Sequence, residues 1–368
     1  MNDWMNNVKR RITRVVSVGG VKLGGGHPVS IQSMTNTYTA DIGATIAQVQ
    51  CLKDAGCEIV RVSVKDKESA AAIAPIKEAA GLPVVADIHF DHNLALAAIN
   101  AGADKIRINP GNMKDPEKLA RVVDAAGERH IPIRIGINSG SLMEMAGGKG
   151  DAPDVMVEAM LRSLEFFEQR GFQDLVLSLK ASDVFTTVMC YRKMSELCDY
   201  PLHVGVTAAG PLSTGIVKSS MGIGALLIDG IGDTIRVSLT GDPVQEVHAA
   251  RKILSASGVR KFGDDIISCP TCGRCGVDLA AIVEEVEAEL AKENPSGTPL
   301  TIAVMGCEVN GPGEAASADV GVAFGNKRAA IFSGGSITKT VDASMAVREL
   351  IEEIKERRRA DGQAARGR

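Results

Sequence analysis

Short apolar runs alternate with longer helical stretches through most of this chain, from residue 29 to residue 257. The runs are rich in Val and Ile and end in polar residues, as buried parallel strands do. Eight of them occur, at Val29–Thr35, Glu58–Val64, Pro83–Phe90, Lys105–Gly111, Ile131–Ser139, Leu175–Ser182, Leu202–Gly210 and Thr234–Gly241. Helical patterning follows at Ile42–Ala55, Lys67–Ala80, Asn93–Ala101, Pro116–Arg129, Ala152–Arg170, Val184–Cys198, Thr214–Leu227 and Pro243–Ser257. Eight strand–helix units predict a (β/α)8 barrel of the TIM type.

An open, doubly wound sheet is the alternative fold, because it produces the same local pattern. The dinucleotide-binding motif G-x-G-x-x-G, which often marks that fold, is missing near the start of the chain. Its absence and the number of repeated units favour the barrel.

The pattern changes at Gly263, where the regular strand–helix repeat ends. A cysteine-containing loop, an acidic amphipathic helix, three short strands and a charged helix are predicted at Cys269–Cys275, Val277–Lys292, Leu300–Met305, Ala318–Phe324, Ala329–Ser333 and Ala343–Arg358. The polar end of the chain, Ala360–Arg368, is predicted to be a frayed tail. We therefore predict a barrel over residues 1–262 and a small α+β domain over residues 263–368.

Polar residues stand two apart at the ends of the predicted barrel strands. This spacing puts them on one face of each strand, and the carboxyl ends of barrel strands form the active site in TIM barrels. Cations predominate there, at Arg61, Arg107, Arg134, Lys180 and Arg236, against the single acid Asp87. Arginine forks match phosphate oxygens, so this excess predicts a multiply charged anion such as a diphosphate. Lys218 and Asp229 are further candidates near the last predicted strand.

A second group of candidate residues consists of cysteines. Cys269 and Cys272 form a C-x2-C pair, Cys275 follows them, and Cys307 comes directly after a predicted strand. Thiolates select zinc, copper(I) or iron–sulfur clusters. Because the last histidine is His248, a structural zinc site would need all four cysteines. The spacing also resembles iron–sulfur runs, and it leaves the choice open.

Composition and net charge limit the functional classes and the cellular compartments that fit this protein. The net charge of −4 gives no support for a nucleic-acid-binding surface. Met1–Val16 is polar and basic, so we expect no signal peptide, and no apolar stretch approaches the roughly 18 residues of a membrane span. Eight cysteines without an export signal point to the cytoplasm, where cysteines serve as ligands or reactive thiols more often than as disulfides.

Several motifs together resemble the 4-hydroxy-3-methylbut-2-enyl diphosphate synthase family, and the resemblance covers nearly the whole chain. They are Ser33-Met-Thr, Ala86-Asp-Ile-His-Phe, Lys105-Ile-Arg-Ile-Asn-Pro-Gly-Asn, Arg134-Ile-Gly-Ile-Asn, Gly230-Ile-Gly-Asp-Thr-Ile-Arg-Val-Ser, Cys269-Pro-Thr-Cys and Asn310-Gly-Pro-Gly-Glu-Ala. The last two, in this order and after a barrel, are the most specific.

The resemblance implies one [4Fe-4S] cluster per chain, held by Cys269, Cys272, Cys307 and Glu314. It implies reductive ring opening of 2-C-methyl-D-erythritol 2,4-cyclodiphosphate, with loss of water, to the allylic diphosphate. Reduced flavodoxin or ferredoxin would supply electrons. A homodimer is implied, in which the cluster domain of one chain closes over the barrel of the other.

Site residues can be transferred to the matching positions of this sequence. The expected substrate contacts are Arg61, Asp87, His89, Arg107, Asn109, Arg134, Asn138, Lys180, His203, Thr207, Lys218, Arg236 and Ser238. Glu314, Asp229 and Asp87 are the candidate catalytic residues. The chain departs from the family at Cys275, which is outside the family's ligand set, and at Asp229 and Ala208, where Glu is common. These departures leave the general acid unassigned.

The alternative function is a barrel lyase or transferase that acts on a phosphorylated substrate. In that case the four cysteines would form a structural zinc knuckle, so that Cys275 would be required and Glu314 dispensable.

Overall fold

The computed structural model describes residues 8–113, 115–140, 151–292, 299–307, 309, 313 and 316–366. The chain divides into two compact units, Met1–Arg260 and Lys261–Arg368. Eight parallel strands form the sheet of the first unit, and a mixed five-stranded sheet lies in the second. The predicted α/β class, a TIM-type barrel followed by a small α+β domain, is confirmed.

A short antiparallel hairpin, β1 (Val16–Val18) and β2 (Val21–Leu23), precedes the barrel. Its buried side chains pack against residues near the amino ends of three barrel strands, namely Ile59, Val85 and Val176. The hairpin therefore plugs the amino end of the barrel with apolar side chains. Strands of three residues are too short to show a period of two, so the sequence pattern does not predict them.

The barrel strands follow in chain order. They are β3 (Ser30–Met34), β4 (Ile59–Ser63), β5 (Val84–Asp87), β6 (Lys105–Ile108), β7 (Ile133–Asn138), β8 (Leu175–Lys180), β9 (His203–Val204) and β10 (Thr234–Ile235). Each pairs in parallel with its neighbour in the order β8-β7-β6-β5-β4-β3-β10-β9. A parallel bridge between Leu177 and Leu202 joins the two edges. The backbone ladder thus closes into a barrel.

Helices surround these strands. They are α1 (Ile42–Asp54), α2 (Lys67–Ala71), α3 (Ile73–Ala80), α4 (His92–Asn100), α5 (Pro116–Glu128), α6 (Ala152–Glu168), α7 (Val184–Leu197), α8 (Leu212–Ile228) and α9 (Pro243–Ala256). The helix predicted over Lys67–Ala80 is in fact two helices. The break lies at Ala72, and Pro75, in the first turn of α3, lacks the N–H that a continuous helix would bond to the carbonyl of Ala71.

Aspartate side chains begin many of these helices. The carboxylates of Asp41, Asp66, Asp91, Asp115, Asp183 and Asp242 each accept a backbone N–H from the first turn. Such caps satisfy N–H groups that have no partner within the helix and contribute about 1 kcal/mol each. They fix where each helix starts after its strand.

The second unit contains β11 (Asp265–Ser268), β12 (Thr301–Met305), β13 (Val320–Phe324), β14 (Arg328–Ser333) and β15 (Ser336–Asp342), with helices α10 (Leu279–Lys292) and α11 (Ala346–Arg366). β11, β12 and β13 are parallel, and β14 and β15 are antiparallel. β11 and β15 are not among the predicted strands. The expectation of a frayed tail is wrong, because α11 continues to Arg366 through good helix formers such as Ala, Gln and Arg.

No helix in the described part of the chain is long and apolar enough to cross a membrane.

Replacing Leu23 of the hairpin with Ala tests the plug. Leu23 is fully buried against Ile59, Val85 and Val176, so we expect the free energy of unfolding to fall by about 2–5 kcal/mol in denaturant titrations. Lys22→Ala, at the exposed neighbouring position, is the control and should change stability by about 0.5 kcal/mol or less. Equal effects of the two changes would contradict a packed plug.

Candidate active site

Inward side chains gather at the carboxyl ends of the barrel strands. Strand register places Asp87 beside Arg107, Arg107 beside Arg134, and Asn138 beside Lys180. Together with their neighbours they surround a cavity of about 110 Å³. We call this cavity and its lining the barrel mouth. It is lined by Arg61, Asp87, His89, Arg107, Arg134, Gly136, Asn138, Ser178, Lys180, Thr207, Arg236 and Ser238.

Asp87 is the carboxylate at the centre of the barrel mouth. It pairs with Arg61 at 3.8 Å, with Arg107 at 3.2 Å and with His89 at 3.4 Å. Burial alone would raise the pKa of this carboxyl, but the charge of Arg61, the His89 hydrogen bond and the charge of Arg107 together lower it well below its usual range. Asp87 is therefore ionised at neutral pH, and it holds the surrounding cations in place.

The cations outnumber the carboxylates that could neutralise them. Arg134 is only 2% exposed, and its Nε and Nη1 atoms have no hydrogen-bond partner among the described residues. Burial, followed by the charges of Arg61 and Arg107, lowers the pKa of Arg134. Burial and the charges of Arg134 and Arg236 do the same for Lys180. The excess of buried cations thus carries an electrostatic cost that a bound anion would relieve.

Arg236 is positioned by Glu246, a residue that the sequence pattern does not reveal. Glu246 lies on α9, is 3% exposed, and accepts hydrogen bonds from Arg236 Nε at 3.2 Å and Nη2 at 3.1 Å. The backbone N–H of Leu239 and the hydroxyl of Ser33 also donate to it. In the sequence, Glu246 is one of many charged residues on an amphipathic helix, so nothing marks it as buried.

Two glycines border cationic side chains at the barrel mouth. A Cβ on Gly136 would lie 2.8 Å from Arg107 Nε. A Cβ on Gly205 would collide with the backbone carbonyl oxygen of Arg236 and would lie 2.8 Å from Lys180 Nζ. Contacts this short force a shift of the neighbouring atoms. Glycine at position 136 therefore leaves room for Arg107, and glycine at position 205 is required first by the backbone of Arg236.

Three of the expected substrate contacts do not line the barrel mouth. The Asn109 side chain accepts the backbone N–H of Gly111 in a local turn. His203 is fully buried on β9, and both ring nitrogens lack partners among the described residues. Lys218 lies within α8, outside the lining.

The expectation that Asp229 reaches the mouth is wrong. Asp229 caps the carboxyl end of α8, before the amino end of β10, and a TIM-barrel helix ends on the side of the barrel opposite the active site. Its carboxylate pairs with Arg192 at 2.8 Å. We therefore do not retain Asp229 as a catalytic residue.

In the second unit, two cysteines lie at one edge of the sheet. β11 and β12 are parallel, with Ser268 opposite Val304, so Cys269 and Cys307 both follow the carboxyl ends of adjacent strands. The backbone N–H of Gly306 donates to Cys269 Sγ at 3.3 Å. A Cβ on Gly306 would collide with Cys275 Sγ, so glycine leaves room for this sulfur.

The thiols at this edge are compatible with the iron–sulfur chemistry expected from the sequence, because thiolate sulfur is a ligand of such clusters. Among the described side chains, no three His, Cys, Asp or Glu residues form a group that could hold one metal ion. Hydrogen bonds from backbone N–H groups to sulfur, such as that from Gly306, tune iron–sulfur sites. Glu314, the fourth expected ligand, lies outside the described residues.

Comparison with known proteins identifies the family. The model of the GcpE TIM-barrel domain matches residues 13–251, and the model of the GcpE protein C-terminal domain matches residues 265–356. The chain belongs to the GcpE family. The family expected from the sequence motifs is thereby confirmed.

GcpE relatives resemble this chain over nearly its full length, and each of the following is named 4-hydroxy-3-methylbut-2-en-1-yl diphosphate synthase (flavodoxin). That of Caldanaerobacter subterraneus subsp. tengcongensis is 50% identical, over 94% of this chain and 97% of the relative. The relative from Thermodesulfovibrio yellowstonii is 51% identical, over 95% of this chain and 99% of the relative. The relative from Fusobacterium nucleatum subsp. nucleatum is 49% identical, over 94% of this chain and 98% of the relative.

Replacing Gly136 with Ala tests how the mouth is built. The new Cβ would displace Arg107, which is buried and tied to Asp87, so we expect at least about tenfold weaker binding of inorganic diphosphate in isothermal titration calorimetry. A Cβ on Gly140 meets no atom within 4 Å, so Gly140→Ala serves as the matched control. Unchanged diphosphate binding by the Gly136 variant would show that Arg107 does not need this space.

Proposed function

We propose that this chain catalyses the reductive ring opening and dehydration of 2-C-methyl-D-erythritol 2,4-cyclodiphosphate to (E)-4-hydroxy-3-methylbut-2-enyl diphosphate. This reaction is a step of the methylerythritol phosphate pathway of isoprenoid biosynthesis. The name shared by the GcpE relatives supports it. The structural observation that carries it is the excess of cations at the barrel mouth over Asp87 and Glu246.

The cations would hold the two phosphoryl groups of the substrate. Arg134 offers N–H groups that have no partner among the described residues, and arginine donors match phosphoryl oxygens in pairs. Arg61, Arg107, Lys180 and Arg236 add positive charge around the same cavity. Asn138, Thr207 and Ser238 supply neutral donors, and His89, with a half-exposed ring, stands at the entrance.

The reaction consumes two electrons and one proton for each substrate. The dianionic ring opens at a carbon–oxygen bond to phosphate, a hydroxyl leaves as water, and the product diphosphate carries one more negative charge. Asp87 is unsuited to supply the proton, because its carboxyl is ionised. We therefore assign Asp87 to positioning Arg61 and Arg107.

In this proposal, Cys269, Cys272, Cys307 and Glu314 hold one [4Fe-4S] cluster per chain. When bound, the cluster supplies the electrons for the reaction. A carboxylate is a harder and weaker ligand of iron than a thiolate, so Glu314 would be the most weakly held of the four ligands. Reduced flavodoxin or ferredoxin is the proposed electron donor. A cytoplasmic homodimer is the proposed working form.

Arg134→Lys tests the proposed binding mode. Lysine keeps the charge but loses the fork, and hydrogen bonds to charged groups contribute roughly 1.5–3 kcal/mol, so kcat/KM should fall at least about tenfold. Turnover of the cyclodiphosphate is measured without oxygen, with reduced flavodoxin and detection of the product by mass spectrometry. Arg162→Lys, on an exposed helix surface, is the control and should behave as the wild type. A wild-type enzyme that forms no product would refute the function itself.

Metal analysis distinguishes the proposed iron–sulfur cluster from the alternative of a structural zinc site. Protein purified without oxygen should contain about four irons and four sulfides per chain. The Cys275→Ser variant should keep them, whereas Glu314→Ala should lose nearly all turnover while retaining its fold by circular dichroism. Stoichiometric zinc without sulfide, with loss of metal in Cys275→Ser, would instead support the barrel lyase or transferase.

A further inference from the structure

Lys105 is a buried lysine below the barrel mouth. It stands on β6 two residues before Arg107, so both side chains point into the barrel. It is 0% exposed, and its Nζ makes no hydrogen bond to any described residue. A charged amine in such a place costs free energy unless an opposite charge accompanies it.

Positive charge surrounds Lys105 on the neighbouring strands. The groups that face the barrel interior around it are Arg61 on β4, Asp87 on β5, Arg107 on β6, Arg134 on β7, Lys180 on β8 and His203 on β9. Arg236, which follows β10, is paired with Glu246 of α9. Asp87 is already paired with Arg61, Arg107 and His89. Both carboxylates are therefore engaged, and the described residues offer none to Lys105.

Burial and the neighbouring cations disfavour the charged form of the Lys105 amine. Burial, followed by the charges of Arg134 and Arg61, lowers the pKa of Lys105 well below its usual range. A diphosphate in the mouth would cancel the charge of those arginines and bring negative charge of its own. Both changes raise the pKa of the amine again.

We propose that Lys105 is a reserve cation of the barrel mouth, which takes up a proton when a diphosphate group binds and releases it when the diphosphate leaves. The bound anion is thereby paired with an additional positive charge on Lys105. This charge is absent when no anion is bound, so the barrel does not have to stabilise it then. The inference deepens the proposed function, because it rests on the mouth being the diphosphate site. It makes anion binding and proton uptake a single linked event.

Two other buried groups compete for the proton, and half-exposed His89 stands at the entrance of the mouth. His203 is buried as deeply as Lys105, but an imidazole is intrinsically about four pH units less basic than a lysine amine. Lys180 is 8% exposed and lines the cavity, and burial and neighbouring cations lower its pKa as well, so it is the main competitor of Lys105. We assign the proton to Lys105 because its amine is fully buried and makes no hydrogen bond to a described residue, and the variants below separate it from Lys180.

The test measures proton uptake by isothermal titration calorimetry in buffers of different ionisation enthalpy. The probe is P1,P2-dimethyl diphosphate, a dianion that does not itself titrate near neutral pH, so any proton taken up belongs to the protein. We expect about one proton per bound anion in the wild type. Since binding then consumes a proton, affinity should fall as pH rises, by up to about tenfold per pH unit.

Three variants test which side chain takes up the proton when the probe binds. Lys105→Met should bind the probe with about one proton fewer taken up than the wild type, and its affinity should depend less on pH. Lys180→Arg keeps a permanent charge that cannot titrate, and it should retain the uptake. Lys118→Met, which removes an exposed lysine of α5, should match the wild type. Persistence of the uptake in Lys105→Met, or its loss in Lys180→Arg, would overturn the proposal.

Stability provides an independent check on the neutral state. Removing a neutral amine without a partner should leave the melting temperature of the anion-free Lys105→Met protein unchanged or raised. A large fall would mean that Lys105 is charged and paired in the empty barrel. If the wild type does not bind the probe at all, both this inference and the diphosphate site fail. Binding without proton uptake defeats only the role of Lys105.

Discussion

The structure of the first unit depends on an imbalance of charge inside a barrel. Five cationic side chains converge at the carboxyl ends of the strands, and among the described residues only Asp87 and Glu246 pair with them. Like charges in a buried space repel one another, and the barrel must be stable in spite of them. Apolar packing elsewhere, including the hairpin plug beneath Val85, supplies the stability that the mouth does not. A mouth built in this way has its lowest free energy when an anion fills it.

Several details of the fold follow from this constraint. Gly136 leaves space for Arg107, and hydrogen bonds from Arg236 to Glu246 of α9 fix the direction of the Arg236 side chain. Asp87 holds two further arginines and remains ionised because of them. Burial and the same cations lower the pKa of Lys105, for which we propose proton uptake when an anion binds. Substrate affinity and the protonation state of the barrel interior are thus parts of one electrostatic system.

The sequence predicts most of the barrel mouth, because residues that share one face of a strand are two positions apart. It does not reveal Glu246, since a carboxylate on an amphipathic helix looks solvated until its tertiary contacts are known. For Asp229 the sequence suggests a place at the barrel mouth that the structure does not support. Asp229 is close in sequence to β10, but it lies before the amino end of that strand and pairs with Arg192. The two strands of the hairpin β1–β2 are too short to show the alternation of apolar and polar residues that marks a strand. The cluster ligands come from family motifs, and Glu314 remains a prediction.

The central claim is that the barrel mouth is the site of the cyclodiphosphate. A crystal structure of the protein with 2-C-methyl-D-erythritol 2,4-cyclodiphosphate bound would test it most directly. We predict both phosphorus atoms inside the mouth, with phosphoryl oxygens accepting hydrogen bonds from Arg134 and Arg236. A ligand bound elsewhere, with Arg134 still lacking partners, would contradict the account.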